Sequence, residues 1–192
     1  MGRLKALLAS RNAHKLRELA AALPGWQLAL LEAEGYPAED GASYVENARL
    51  KARFARAAAG PDGWVLGEDS GLEVAGLGGR PGLRSARYAD PGEDPNAKLL
   101  RQLEGVAGPG RRARYVCELV GISPEGREAR GTGVLEGSIA LEARGTEGFG
   151  YDPVFVPNGE ERTVAELGNA WKQTSSHRAR AARAFGNRVA AL

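Results

Sequence analysis

The 192-residue chain is long enough for one compact domain, or for a pair of lobes sharing a core. Its 43% apolar residues exclude a disordered chain, and its net charge of +2 excludes a general polyanion binder. A single cysteine excludes an internal disulfide, and with two histidines it cannot build a four-ligand zinc site, so an intracellular, cytoplasmic location is expected. The longest near-apolar stretch, Tyr115 to Ile122, is interrupted by Glu118 and falls well short of the roughly 20 residues that span a bilayer. The apolar run Ala6–Ala9 passes straight into charged residues, so neither a membrane span nor a signal peptide is expected.

The elements follow from periodicity and punctuation. Leu4 to Ser10 reads as a buried strand, and Asn12 caps a helix carrying Leu16, Leu19, Ala20 and Leu23 on one face. Trp26 to Leu31 reads as a second strand. Ser43 and Glu46 form a capping-box pattern opening a helix to about Ala59, with Val45, Ala48, Ala52 and Ala55 inside. Trp64 to Gly67 is a short strand running into an acidic turn, Glu68-Asp69-Ser70-Gly71, with another short strand at Leu72 to Val74. A glycine-rich loop spans Gly76 to Gly82, and a helix is expected over Asn96 to Leu103. Arg112 to Ile122 and Arg127 to Glu136 form a hairpin; Gly148 to Pro153 is a loop, Val154 to Val156 a strand, and Ser175 to Ala191 a terminal helix. The mixture predicts a sheet with helices on its faces. Cys117, inside the hairpin, reads as a buried structural thiol.

Two helix starts carry charge of the wrong sign. Helix N-termini favour acidic residues, yet His14 and Lys15 follow Asn12, and His177, Arg178 and Arg180 follow Ser175 and Ser176. Each misplaced cation costs ~0.3–1 kcal/mol unless an anion compensates, so a phosphate-bearing ligand is expected at both. The acids Glu68 and Asp69, at the end of a strand, suit magnesium bound to phosphates, and one of them suits activation of water. Phe149 and Tyr151, spaced by Gly150, suit a platform for a flat base.

Other chemistries lack their patterns. The chain has neither a G-x-x-x-x-G-K-S/T phosphate loop nor a G-x-G-x-x-G turn after a strand. A Ser70, His177, Asp152 triad lacks the nucleophile elbow. The runs Arg111-Arg112-Ala113-Arg114 and Arg178 to Arg183 read as solvated charged faces, so no nucleic-acid partner is expected.

The ordered set of motifs resembles the inosine triphosphate pyrophosphatase family, whose members are also called dITP/XTP pyrophosphatases. The matching segments are Ser10 to Glu18, Tyr44 to Ala48 with Lys51-Ala52, Asp69 to Leu72, Leu77 to Gly82 with Ser85 to Tyr88, Gly148 to Pro153, and Ser176 to Arg178 after Lys172. The resemblance implies an α/β fold: a long central mixed sheet flanked by helices, with two lobes and an active-site cleft between them. It implies one domain over residues 1–192, a homodimer, no membrane partner, and magnesium-dependent hydrolysis of ITP, dITP and XTP to the monophosphate and pyrophosphate. Asp69 then matches the general base and metal ligand. Ser10, Arg11, Asn12, Ala13, His14 and Lys15 match the triphosphate segment, with Ser70 a further substrate contact. Phe149, Gly150, Tyr151 and Asp152 match the base loop, and Lys172, His177 and Arg178 the remaining contacts. Glu39 is the nearest match to a second metal-binding acid, and Glu68 is a further candidate. Lys15 and Lys172 are expected to stabilise the leaving pyrophosphate. His177 or Arg178 is expected to donate to the purine O6. Two departures stand out: Arg11 replaces a usual glycine, and Glu68 a usual aspartate. The competing enzyme class is a pyrophosphatase for modified pyrimidine nucleotides.

Overall fold

The computed structural model describes residues 3–192. Its strands are β1 (Leu4–Leu8), β2 (Trp26–Leu30), β3 (Trp64–Val74), β4 (Arg112–Ile122), β5 (Glu128–Ile139) and β6 (Phe155–Pro157). They form one open, mixed sheet in the order β2-β1-β3-β4-β5-β6. β1 pairs in parallel with β2, Leu4 opposite Trp26, and with β3, Leu8 opposite Leu66; β5 pairs antiparallel with β6. The helices are α1 (Ala13–Ala22), α2 (Tyr44–Ala58), α3 (Pro95–Gln102), α4 (Val164–Ser175) and α5 (His177–Ala190). Among the described residues no helix is long and apolar enough to cross a membrane.

The chain divides into two compact units. The first comprises the described residues up to Asp69, with Cys117–Gly133 and His177–Leu192; the second comprises Ser70–Val116 and Val134–Ser176. In the first unit, α1 and α5 bury Leu19, Leu23, Ala181, Ala182 and Phe185 against Leu8, Leu66, Cys117 and Leu119. Side chains alternate along a strand, so Val65 and Val120 point the other way and meet Ala48, Ala52 and Ala55 of α2. Two glycines let these helices sit with backbone against backbone. A Cβ at Gly67 would lie 2.0 Å from the Ala48 carbonyl oxygen, and one at Gly133 would lie 1.9 Å from that of His177. Those seats fix the depth of α2, which carries Asn47 and Lys51, and of α5, which begins with His177 and Arg178.

In the second unit, Leu72, Val74, Leu99, Leu103, Tyr115, Leu135, Val154 and Phe155 form the core. Arg111 was expected on a solvated face, yet it is 9% exposed. Its guanidinium ties three segments by donating to the carbonyls of Leu103 (3.0 Å), Val106 (3.3 Å), Ile139 (2.8 Å) and Ala140 (2.5 Å). Arg111→Ala should therefore lower stability in urea denaturation by about 3 kcal/mol, because charged hydrogen bonds go and buried acceptors are orphaned. A loss under about 1 kcal/mol would mean that water replaces the guanidinium freely.

Three further sequence expectations change. Glu68 to Gly71 is not a turn after a strand: β3 runs unbroken through it. α4 was missed, although Thr163 and Glu166 form a full capping box, because Gly168 (φ 84°) breaks the helix inside it. The third concerns Arg178, which was read as part of a solvated face and is 2% exposed.

Candidate active site

The unbroken β3 decides the geometry of the acids. Adjacent residues of an extended strand point to opposite faces, so Glu68 faces α1 and α5 while Asp69 faces α2. Asn12 starts α1 by accepting hydrogen bonds from the backbone N–H groups of His14 (2.9 Å) and Lys15 (3.3 Å), and Ser10 Oγ accepts from that of Asn12 (3.0 Å). Lys15 thereby leaves the first turn with its ammonium 2.7 Å from Glu68 Oε2. Arg178, from the start of α5, places its guanidinium 3.0 Å from Glu68 Oε1 and 2.5 Å from Glu18. Cys117 completes the pocket, its Sγ 3.4 Å from Glu68 Oε1. Burial pushes the Glu68 carboxyl up, but the Lys15 and Arg178 charges outweigh it and hold the group well below the usual carboxylate range. The Cys117 thiol is pushed well up by burial and by the Glu68 charge.

Glu68 was expected as a candidate metal ligand; here its carboxylate is paired with Lys15 and Arg178. Its side chain is 0% exposed and lies between two protein cations on the face opposite Asp69. The misplaced cations of the two helix starts are thus compensated, at least in part, by Glu68 itself.

Asp69 has different company. Asn47 donates to its Oδ2 (2.9 Å), and the Lys51 ammonium lies 3.4 Å from Oδ1 and 2.7 Å from Glu39. Burial raises the Asp69 carboxyl above its ordinary value, and the Lys51 charge and Asn47 hydrogen bond offset only part of this. Burial pushes Lys51 down, yet the charges of Asp69, Glu68 and Glu39 leave it raised, so it stays protonated. Two carboxylates that share one ammonium offer the hard oxygen donors that a divalent cation prefers. Among the described residues no group of three His, Cys, Asp or Glu side chains gathers as a ready-made metal site.

Sequence reading singled out neither Asn47 nor Lys51 as site residues. Their signal is there: they lie four apart on α2, and Lys51 falls three residues after Ala48, on the buried face. Arg11, at the position of the usual glycine, stacks its guanidinium 5.1 Å from the Tyr36 ring centre. His14 Nδ1 lies 2.6 Å from a guanidinium nitrogen of Arg17, and Ser70 is half-buried on β3.

The second unit holds the aromatic loop. Asp152 Oδ2 accepts from the Phe149 N–H (2.8 Å) and from Lys172 (2.5 Å), and Tyr115 donates to Oδ1 (3.4 Å). The Lys172 ammonium sits 4.5 Å from the Phe149 ring centre, a cation–π contact. Tyr151 donates to the Ser85 carbonyl (2.8 Å), and burial raises its phenol. Phe149, Gly150, Tyr151, Asp152 and Lys172 therefore come together as expected, but Lys172, 2% exposed, belongs to the loop. Its ammonium contacts Asp152 and Phe149.

The chain is similar to known proteins along most of its length. A family model described as the Ham1 family matches residues 6–188. A protein of Bdellovibrio bacteriovorus named dITP/XTP pyrophosphatase is 46% identical over 150 residues, covering 77% of this chain and 75% of its own length. One of the same name from Thermus thermophilus is 42% identical over 188 residues, covering 95% and 90%. The solved structure of a HAM1 protein from Coxiella burnetii superposes with a TM-score of 0.84 at 33% identity, covering 98% of this chain and 100% of that one.

Proposed function

Because the chain belongs to the Ham1 family, we propose that it is a house-cleaning nucleoside triphosphate pyrophosphatase acting on deaminated purine nucleotides. It converts ITP, dITP and XTP with water to the monophosphate and pyrophosphate, as one catalytic domain over residues 1–192. The observation that carries the reading is Asp69: a buried carboxylate with a raised pKa, oriented by Asn47 and sharing Lys51 with Glu39.

Asp69 and Glu39 are the residues that would hold magnesium. A divalent ion held by them would supply positive charge for the phosphate oxygens, to which the Lys51 ammonium would add its own. Asp69 accepts a proton from the water whose oxygen attacks the α-phosphorus. The bond from that phosphorus to the bridging oxygen breaks, and pyrophosphate leaves with the electron pair. Asn47 keeps the second Asp69 oxygen aimed by donating to it at 2.9 Å. Ser10 through Lys15 are assigned to the triphosphate, since the N–H groups at the α1 start and the Lys15 charge both favour anions. Ser70 is a further substrate contact.

The loop Phe149–Asp152, with Lys172 behind it, is assigned to the base. Hypoxanthine and xanthine present an O6 acceptor where adenine presents an amino donor. A donor from His177 or Arg178 at that atom rejects adenine, and a polar mismatch of this kind discriminates by up to roughly 10⁴-fold. A cytoplasmic homodimer is part of the same reading.

Pyrophosphate release from dITP, XTP, dGTP, dATP and dUTP, with and without magnesium, tests the proposal. Magnesium-dependent release from dITP and XTP well above the others is the expected result. Release mainly from dUTP would move the chain to pyrimidine nucleotides, and release from none would overturn the reading.

A further inference from the structure

The aromatic loop has a restraint from outside its own sequence. Phe149 and Asp152 are tied by the Asp152 carboxylate, and Tyr151 by its hydroxyl on Ser85. Gly150 lies between them, exposed, with φ 64°, in backbone that only glycine enters without strain and that glycine leaves as readily. Its carbonyl accepts a hydrogen bond from Asn96 Nδ2 at 3.0 Å. Asn96 comes from a capped helix start. It stands in the first turn of α3 beside Pro95, and Asp94 accepts from the backbone N–H groups of Asn96 (3.0 Å) and Ala97 (3.3 Å). The amide is turned towards the loop although this buries its Oδ1 with no hydrogen-bond partner among the described residues. That orientation sacrifices hydration of the acceptor for the single donation to Gly150.

We infer that Asn96 is a positioning residue for base recognition: it clamps Gly150 and so holds Phe149 and Tyr151 in one arrangement. The inference rests on the assignment of this loop to the base. It implies that Asn96 acts on substrate binding and not on the proton transfer at Asp69.

The test compares wild type with Asn96→Ala and with Asn96→Asp, which keeps the shape but removes the donor. Two quantities are read: deuterium exchange of a peptide covering 148–152, and KM and kcat for dITP. Exchange should quicken and KM should rise, each by about three- to tenfold, the loss expected of one hydrogen bond. The value of kcat should stay within about twofold, because no group at the reacting phosphorus has moved. Unchanged exchange and KM in both variants would overturn the clamp, and so would a loss in kcat with KM unchanged. If wild type releases pyrophosphate from no purine nucleotide, the substrate assignment fails, while quickened exchange in the variants still upholds the clamp itself.

Discussion

Asp69→Asn should lower turnover of dITP at least about a hundredfold, the low end for loss of a general base, while the protein stays folded. The amide fills the same volume, and its oxygen can still accept from Asn47, which donates to Asp69 at 2.9 Å in the wild type. What disappears is the charge facing Lys51 and the capacity to take a proton. The ammonium keeps its closer partner, Glu39 at 2.7 Å against 3.4 Å for Asp69, so the local packing has little reason to collapse. The measurement is pyrophosphate release at saturating magnesium, with a thermal melt of each protein as control. A hundredfold loss with an unshifted melt would place the defect in the chemistry. Turnover within tenfold of wild type would remove Asp69 from the centre of the mechanism, and a collapsed melt would make its role structural.

The parts of this site that sequence made legible are those encoded within a few residues. Asn12 before His14 and Lys15 announces a capped helix, and Gly148 to Pro153 announces a loop. Both hold in the structure. The acids on β3 were harder. Gly67, two carboxylates, a serine and Gly71 are all poor strand formers, so local preference reads them as a turn. They are a strand because distant groups make them one. Gly67 admits the α2 backbone, while Lys15, Lys51 and Arg178 neutralise the charges from 53, 18 and 110 residues away. Once the segment is extended, alternation does the rest: Glu68 is sealed between Lys15 and Arg178, and Asp69 turns to Asn47 and Lys51. No local pattern distinguishes Glu68 from Asp69. Lys51 was obscured for a related reason, since a charged residue on a helix reads as solvated until its two acids arrive from elsewhere in the chain. α4 shows the opposite failure, where a strong local start at Thr163 is masked by one glycine in the wrong conformation.

If Glu68 is the anchor of the two cationic helix starts, Glu68→Gln should cost about 3 kcal/mol of stability, near the lower end for breaking a buried ion pair. Gln keeps the volume and can still accept a hydrogen bond, but it leaves Lys15 and Arg178 facing a neutral group. Arg178 retains Glu18 at 2.5 Å, and the Lys15 side chain, 18% exposed, can turn towards water; both limit the damage. The loss is nonetheless a large share of the roughly 5–15 kcal/mol that holds a domain folded. Acidity provides the second readout. Glu68 is held well below its ordinary value, so its contribution is complete above the unfolded carboxylate pKa of about 4.3 and fades as pH falls towards the folded value. The gap between wild type and Glu68→Gln in urea midpoints should therefore be constant from neutral pH down to about 5 and narrow below about 4. A gap under about 1 kcal/mol would show that the two cations do not depend on this carboxylate. A gap that stays wide at low pH would mean that the lost stability comes from packing and not from charge.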